Sequence, residues 1–128
     1  MLYFDHMKIQ QSTEDYLETI YIVSRSAEQV HQVDIARALR VSQPAVTKAV
    51  RKLKELGYVH TVGMHVYLTA EGLARAQSVY EKHRLLRAFF MEMGVSGETA
   101  ERDACLIEHI ISDETYAAIK SRMNGKDF

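Results

Sequence analysis

The chain has 128 residues, of which 47% are hydrophobic and 26% charged. This is an ordinary globular balance that suits one domain or two small ones sharing a core. No apolar run reaches the roughly 18 residues of a membrane span, and no signal-peptide pattern opens the chain. A single cysteine, Cys105, excludes an internal disulfide, so a reducing cytoplasm is the default setting and no membrane partner is expected. The net charge of −1 says little until it is located. Arg40, Lys48, Arg51, Lys52 and Lys54 cluster in one segment, and Glu98, Glu101, Asp103, Glu108, Asp113 and Glu114 in another. Such separation suggests two partners of opposite charge.

Residues 1–11 show no clear period, and Ser12 reads as the cap of a first helix over about 13–25. Thr13, Glu14 and Asp15 fill its first turn, where acids favour the helix dipole, and Leu17, Ile20, Tyr21 and Ser24 follow one face. A polar link over 26–29 leads through Val30-His31-Gln32 to a second helix over about 33–39, carrying Ile35, Ala36 and Leu39. Ser42-Gln43-Pro44 opens a third helix, with Ser42 as N-cap and proline in the first turn, where its missing N–H costs little. Val46, Val50, Leu53 and Leu56, with Ala49, mark the buried face, whereas Thr47, Lys48, Arg51 and Lys52 fall opposite. Gly57 stops the helix.

Two β-rich runs, Tyr58–Val62 and Val66–Thr69, flank a turn at Gly63-Met64-His65 and read as a hairpin with His65 at its tip. Helix, turn, basic helix, hairpin is the order of a winged helix-turn-helix, whose second helix can lie in the DNA major groove. Ser42, Gln43, Pro44, Ala45 and Thr47 then lie nearest base edges. Lys48, Arg51 and Lys52 reach phosphates or guanines, and His65 approaches the backbone. The bland alternative for these residues is capping, helix initiation and a solvated basic face.

Thr69 caps a long helix that runs through Ala74, Val79, Leu85, Leu86, Phe89 and Phe90 to Gly94, with His83 in its middle. Ser96 caps a fifth helix over about 97–111, and Ser112-Asp113-Glu114 starts a sixth that ends near Met123, before a short tail. On a continuous fifth helix, Cys105, Glu108 and His109 share one face by their i, i+3, i+4 spacing. Thiolate, carboxylate and imidazole together suit a divalent transition metal. The competing reading is a buried free cysteine beside a surface Glu-His pair. Leu86, Phe89, Phe90, Ile110 and Ile119 exceed what a small half can bury, and so predict a dimer core.

Five segments resemble, in order and at family spacing, the metal-dependent transcription regulators of the diphtheria-toxin-repressor and manganese-transport-regulator family. They are residues 14–21 (Glu-Asp-Tyr-Leu-Glu-Thr-Ile-Tyr), 41–47 (Val-Ser-Gln-Pro-Ala-Val-Thr), 68–72 (Leu-Thr-Ala-Glu-Gly), 82–86 (Lys-His-Arg-Leu-Leu) and 105–109 (Cys-Leu-Ile-Glu-His). The resemblance covers about Ser12 to Met123. It implies a mainly α fold: a winged-helix DNA-binding domain with a small β-hairpin wing at 1–72, then an all-α metal-binding and dimerisation domain at 73–128, ending where the short manganese-type members end. Carried over, the metal ligands are Asp15, Glu18, His83, Cys105, Glu108 and His109, serving one Mn²⁺ or Fe²⁺ or a close pair of ions.

The departures from the pattern are specific. Asp15 stands where iron-responsive members have methionine, and Cys105 where manganese regulators have glutamate, which makes a hybrid site. Arg87 replaces a glutamate, and Glu101 a histidine, of the iron group's accessory site, which argues against that site. The function implied is a metal-activated repressor of metal-ion homeostasis that binds a palindromic operator as a homodimer. A metal-independent winged-helix regulator, and less so a small metalloenzyme, remain the alternatives. The absence of a catalytic-cleft signature speaks against the enzyme.

Overall fold

The structure, a computed structural model, describes residues 2–124, with side chains described from Thr13 onward. The elements in order are α1 (Leu2–Ser26), β1 (Val30–His31), α2 (Gln32–Leu39), α3 (Gln43–Glu55), β2 (Val59–Val62), β3 (His65–Leu68), α4 (Ala70–Glu92), α5 (Gly97–Ile107) and α6 (Asp113–Arg122). The chain divides into two compact units, Met1–Gln77 and Ser78–Phe128. No helix among the described residues is long and apolar enough to cross a membrane. The tail expected after Asn124 lies outside the described residues.

The first unit is a winged helix-turn-helix. Its core is built from Leu17 and Ile20 of α1, Ile35 of α2, Val46, Val50 and Leu53 of α3, and Val59 and Val66 of the sheet, each at most 4% exposed. These are the apolar positions of three amphipathic helices and one face of the strands, and their burial is the main stabilising term of the unit. Leu56 does not join them: it is the C-cap of α3 and 44% exposed. Gly57 then takes φ +80, the left-handed conformation that ends the helix. Ser24, placed on the apolar face by spacing, is exposed and donates its hydroxyl to Tyr21 O at 2.7 Å.

α1 starts at Leu2, so Ser12 lies within it and is not a cap. Residues 2–12 contain neither proline nor glycine to stop a helix. The sheet has three strands in the order β1-β3-β2, both pairings antiparallel. β1 adds two residues to the expected hairpin, with Val30 opposite Val66 and His31 opposite His65. His31 also caps α2: its Nδ1 accepts from Val33 N–H at 3.2 Å, while Asp34 accepts from His31 N–H at 3.0 Å. This is a capping box with histidine in place of serine or threonine.

The wing is tied to the start of α4 through Thr69, whose hydroxyl donates to Gly57 O at 2.7 Å and accepts from Gly72 N–H at 3.1 Å. Gly72 packs directly on Tyr58; a Cβ there would stand 1.9 Å from the Tyr58 carbonyl oxygen. In the second unit α5 and α6 are capped by Ser96 and Ser112, which accept from Thr99 and Thr115 N–H at 3.3 and 3.1 Å. Its buried hydrophobic residues are Val79, Leu85, Leu86, Ala100, Ala104 and Met123. Leu86 is 1% exposed and belongs to this core, so it offers no surface for a second copy. Phe89, Phe90 and Ile119 are half-buried, and Ile110 is 50% exposed.

Gly72→Ala is expected to destabilise the protein by about 1–3 kcal/mol, because backbone must shift to admit the methyl group. Urea denaturation followed by circular dichroism measures it, and an unchanged midpoint would contradict the packing described.

Candidate functional site

Two sets of residues carry chemistry, one in each unit. In the first unit, α3 presents Gln43, Pro44, Thr47, Lys48, Arg51 and Lys52 to solvent, with Ala45 half-buried. Three turns of helix thus place three cations on the face opposite Val46, Val50 and Leu53. Gln43, Pro44, Thr47, Lys48 and Arg51 line an open concavity of about 510 Å³ together with Met64 of the wing turn. Ser42 is occupied as the N-cap, accepting from Ala45 N–H at 3.2 Å. Its hydroxyl therefore shapes the helix start.

His65 is not at the wing tip. It opens β3, half-buried, with its ring edge-on to His31 at 5.3 Å; the tip is Gly63-Met64. Exposed Val62 and Met64 (62% and 47%) occupy that end of the wing. Sequence reasoning also missed Gln32, a buried polar residue whose Oε1 accepts from Thr47 Oγ1 at 3.2 Å. Its position just before an apolar helical stripe gave no signal of that role. Asp15 and Glu18 lie three residues apart on α1, both half-buried, while buried Glu14 pairs with Arg75 at 3.2 Å.

In the second unit the acceptors gather around His83 of α4. Its Nδ1 lies 2.9 Å from Glu108 Oε2 and 3.8 Å from Cys105 Sγ, and its Nε2 lies 2.9 Å from Glu101 Oε1. Glu101 Oε2 in turn receives Arg87 Nε at 3.0 Å. His109 Nε2 stands 3.3 Å from Glu108 Oε1, and both side chains are 1% exposed. One donor atom each of His83, Glu101 and Cys105 lies within 4.8 Å of the others.

The spacing argument holds for Cys105 and Glu108 but not for His109. α5 ends at Ile107, so Glu108 is its C-cap and His109 sits in the turn beyond. Glu108 keeps helical backbone angles and donates its N–H to Ala104 O, so Cys105 and Glu108 stand one turn apart on the side facing His83, with Cys105 exposed and Glu108 buried. They converge because both reach the same nitrogen of His83. Hydrogen bonding to Cys105 first, and to Glu108 second, raises the pKa of His83 to about 11, against the opposing effect of burial.

These donors fit a divalent cation. A carboxylate removed from water costs several kcal/mol unless it is paired and hydrogen-bonded. Glu108 is 2% exposed, and its Oε1 is buried without a hydrogen bond among the described residues. Two imidazoles and a thiol beside it supply the borderline ligands that transition metals take together with carboxylate. Cys105 being exposed removes the alternative of an inert core cysteine.

A winged-helix unit with a basic helix, followed by a helical unit holding such a donor cluster, defines a metal-dependent DNA-binding regulator. The comparisons with known proteins agree. Residues 8–65 match the iron dependent repressor N-terminal DNA binding domain, and residues 69–127 match the iron dependent repressor metal binding and dimerisation domain. The chain belongs to this iron-dependent repressor family. It is 40% identical over 108 residues to the transcriptional regulator MntR of Escherichia coli O157:H7, covering 84% of this chain and 70% of that one. It is 32% identical over 116 residues to the iron-dependent repressor IdeR of Mycobacterium leprae, covering 89% and 50%. Among solved structures, the metal-dependent transcriptional regulator MtsR superposes with a TM-score of 0.83 at 26% identity, covering 91% of this chain and 55% of that one. A manganese-dependent transcriptional repressor in complex with manganese gives 0.80 at 31% identity, covering 87% and 52%. The chain thus spans about half the length of these solved chains.

Ser42→Ala should cost about 1 kcal/mol through the lost cap of α3. Thermal denaturation monitored by circular dichroism reports it, and a variant as stable as the parent would mean that Ser42 has a different role.

Proposed function

We propose that this protein is a transcriptional repressor that binds operator DNA when its second unit holds Mn²⁺ or Fe²⁺. The observation that carries the reading is the buried Glu108 carboxylate between His83 and His109, with Cys105 on the same imidazole nitrogen. His83, Cys105, Glu108 and His109 hold the cation. Asp15 and Glu18 of α1 are assigned to the same ligand set on the strength of their match to the family's first-helix motif. The ion, when bound, would supply the positive charge that compensates these carboxylates. Cys105 brings a soft donor that suits Fe²⁺, whereas Asp15 and Glu18 bring the hard oxygens that suit Mn²⁺.

On the DNA side, Lys48, Arg51 and Lys52 neutralise phosphates or reach guanine edges, and Gln43, Pro44, Ala45 and Thr47 meet the base edges. We assign a homodimer, with Phe89, Phe90, Ile110 and Ile119 in the contact between copies. Two recognition helices then read half-sites about one DNA turn, roughly 34 Å, apart. The setting is cytoplasmic, and the protein acts by binding, not by turnover. Family membership in transcription regulators supports that reading.

Adding Mn²⁺ or Fe²⁺ under reducing conditions is expected to tighten operator binding by about 5–150-fold, the range of coupling energies between linked sites. Fluorescence anisotropy with labelled DNA measures it. Identical binding in metal and in chelator would favour a metal-independent regulator. Lys48→Ala/Arg51→Ala should weaken binding and lower the salt slope by about two, since each phosphate left without its cation removes roughly 0.9. A slope equal to that of the parent would place those cations away from the phosphates.

A further inference from the structure

Glu101 stands where the family pattern has a different residue, and its two oxygens are both committed. Oε1 lies 2.9 Å from His83 Nε2, and Oε2 lies 3.0 Å from Arg87 Nε. Arg87 follows His83 by four residues on α4, and Cys105 follows Glu101 by four on α5, so each pair occupies consecutive turns of one helix face. Nδ1 of the same imidazole faces Glu108 Oε2 and Cys105 Sγ. The ring is therefore addressed from two sides: metal-binding donors at Nδ1, and a carboxylate already tied to a guanidinium at Nε2.

We propose that Glu101 is a positioning residue for the metal centre and not a ligand: anchored by Arg87, it accepts the Nε2–H of His83 and so turns Nδ1 toward the cation. This deepens the proposed function and rests on it. An imidazole ligates through a lone pair. If Nδ1 is the ligating atom, the remaining ring proton must sit at Nε2, where it needs an acceptor to fix the ring plane. A carboxylate in that place also makes the imidazole a stronger donor. Glu101 as a ligand would require Oε1 to exchange the His83 proton for the ion, and Oε2 to do so beside a fixed positive charge. Arg87 opposes both. Arg87 thus keeps Glu101 in its outer place, and its charge fills a position where a second cation would otherwise find a carboxylate.

The test uses Zn²⁺ as the probe on the full chain. In the Zn²⁺-loaded protein labelled with ¹⁵N-histidine, the expected spectrum shows His83 metal-bound at Nδ1 and protonated at Nε2, with slow exchange of that proton. Ligation of His83 through Nε2 would overturn the proposal. Glu101→Ala should weaken Zn²⁺ binding by about 10–100-fold and speed exchange of the Nε2 proton, with far-ultraviolet circular dichroism unchanged. Glu101→Gln, which keeps a carbonyl acceptor, should restore most of the affinity, and Arg87→Ala should lose less than Glu101→Ala. A Glu101→Ala protein that binds Zn²⁺ as the parent does overturns the positioning role alone. A parent that takes up no Zn²⁺ overturns this role and the proposed function together.

Discussion

The structure depends on how the second unit tolerates a buried carboxylate. Glu108 is 2% exposed at the end of α5, where an uncompensated negative charge would be costly. His83 supplies one partner at 2.9 Å, and His109 stands 3.3 Å from the other oxygen. Hydrogen bonding to Cys105 and Glu108 raises the His83 pKa to about 11. On the proposed function, a cation at Nδ1 takes the place of a ring proton there. Ligands of this kind must be deprotonated to bind, which makes metal uptake and proton release one event. On that reading the cluster sets the terms on which a cation can enter.

The first unit is organised for a different task. Its core takes one face from each of α1, α2, α3 and the sheet, leaving the basic face of α3 open to solvent. That face is stiffened at its start by Ser42 and along its side by Gln32, which holds the hydroxyl of Thr47. The wing is braced where Thr69 and Gly72 bind the strand region to the start of α4. A helix offered to DNA must keep its position without packing on its outer side, and these polar contacts supply that constraint.

Much of this was legible in the sequence where chemistry is local. Serine caps announced α3, α5 and α6, and the apolar spacing of Val46, Val50 and Leu53 gave the buried face of α3. Five short segments pointed to the family. What escaped has physical reasons. Ser12 mimics a cap, but no helix breaker precedes it, so α1 runs back to Leu2. β1 has two residues, too few for a period, and its second residue, His31, caps with a residue type outside the usual signature. α5 stops at Ile107 without a glycine, because Ser112 opens the next helix a few residues later. Glu101 looked like the loss of a ligand; only the approach of α4 to α5 showed the carboxylate on His83. Long-range pairing of that kind leaves no trace in spacing along one helix.

The central claim is that His83, Cys105 and Glu108 converge on one cation. The most direct measurement is the absorption spectrum of the Co²⁺-loaded protein, compared with Cys105→Ser, under anaerobic conditions. The account predicts a thiolate-to-cobalt charge-transfer band that disappears in the variant. A parent spectrum without that band, or one unchanged by the substitution, would contradict it.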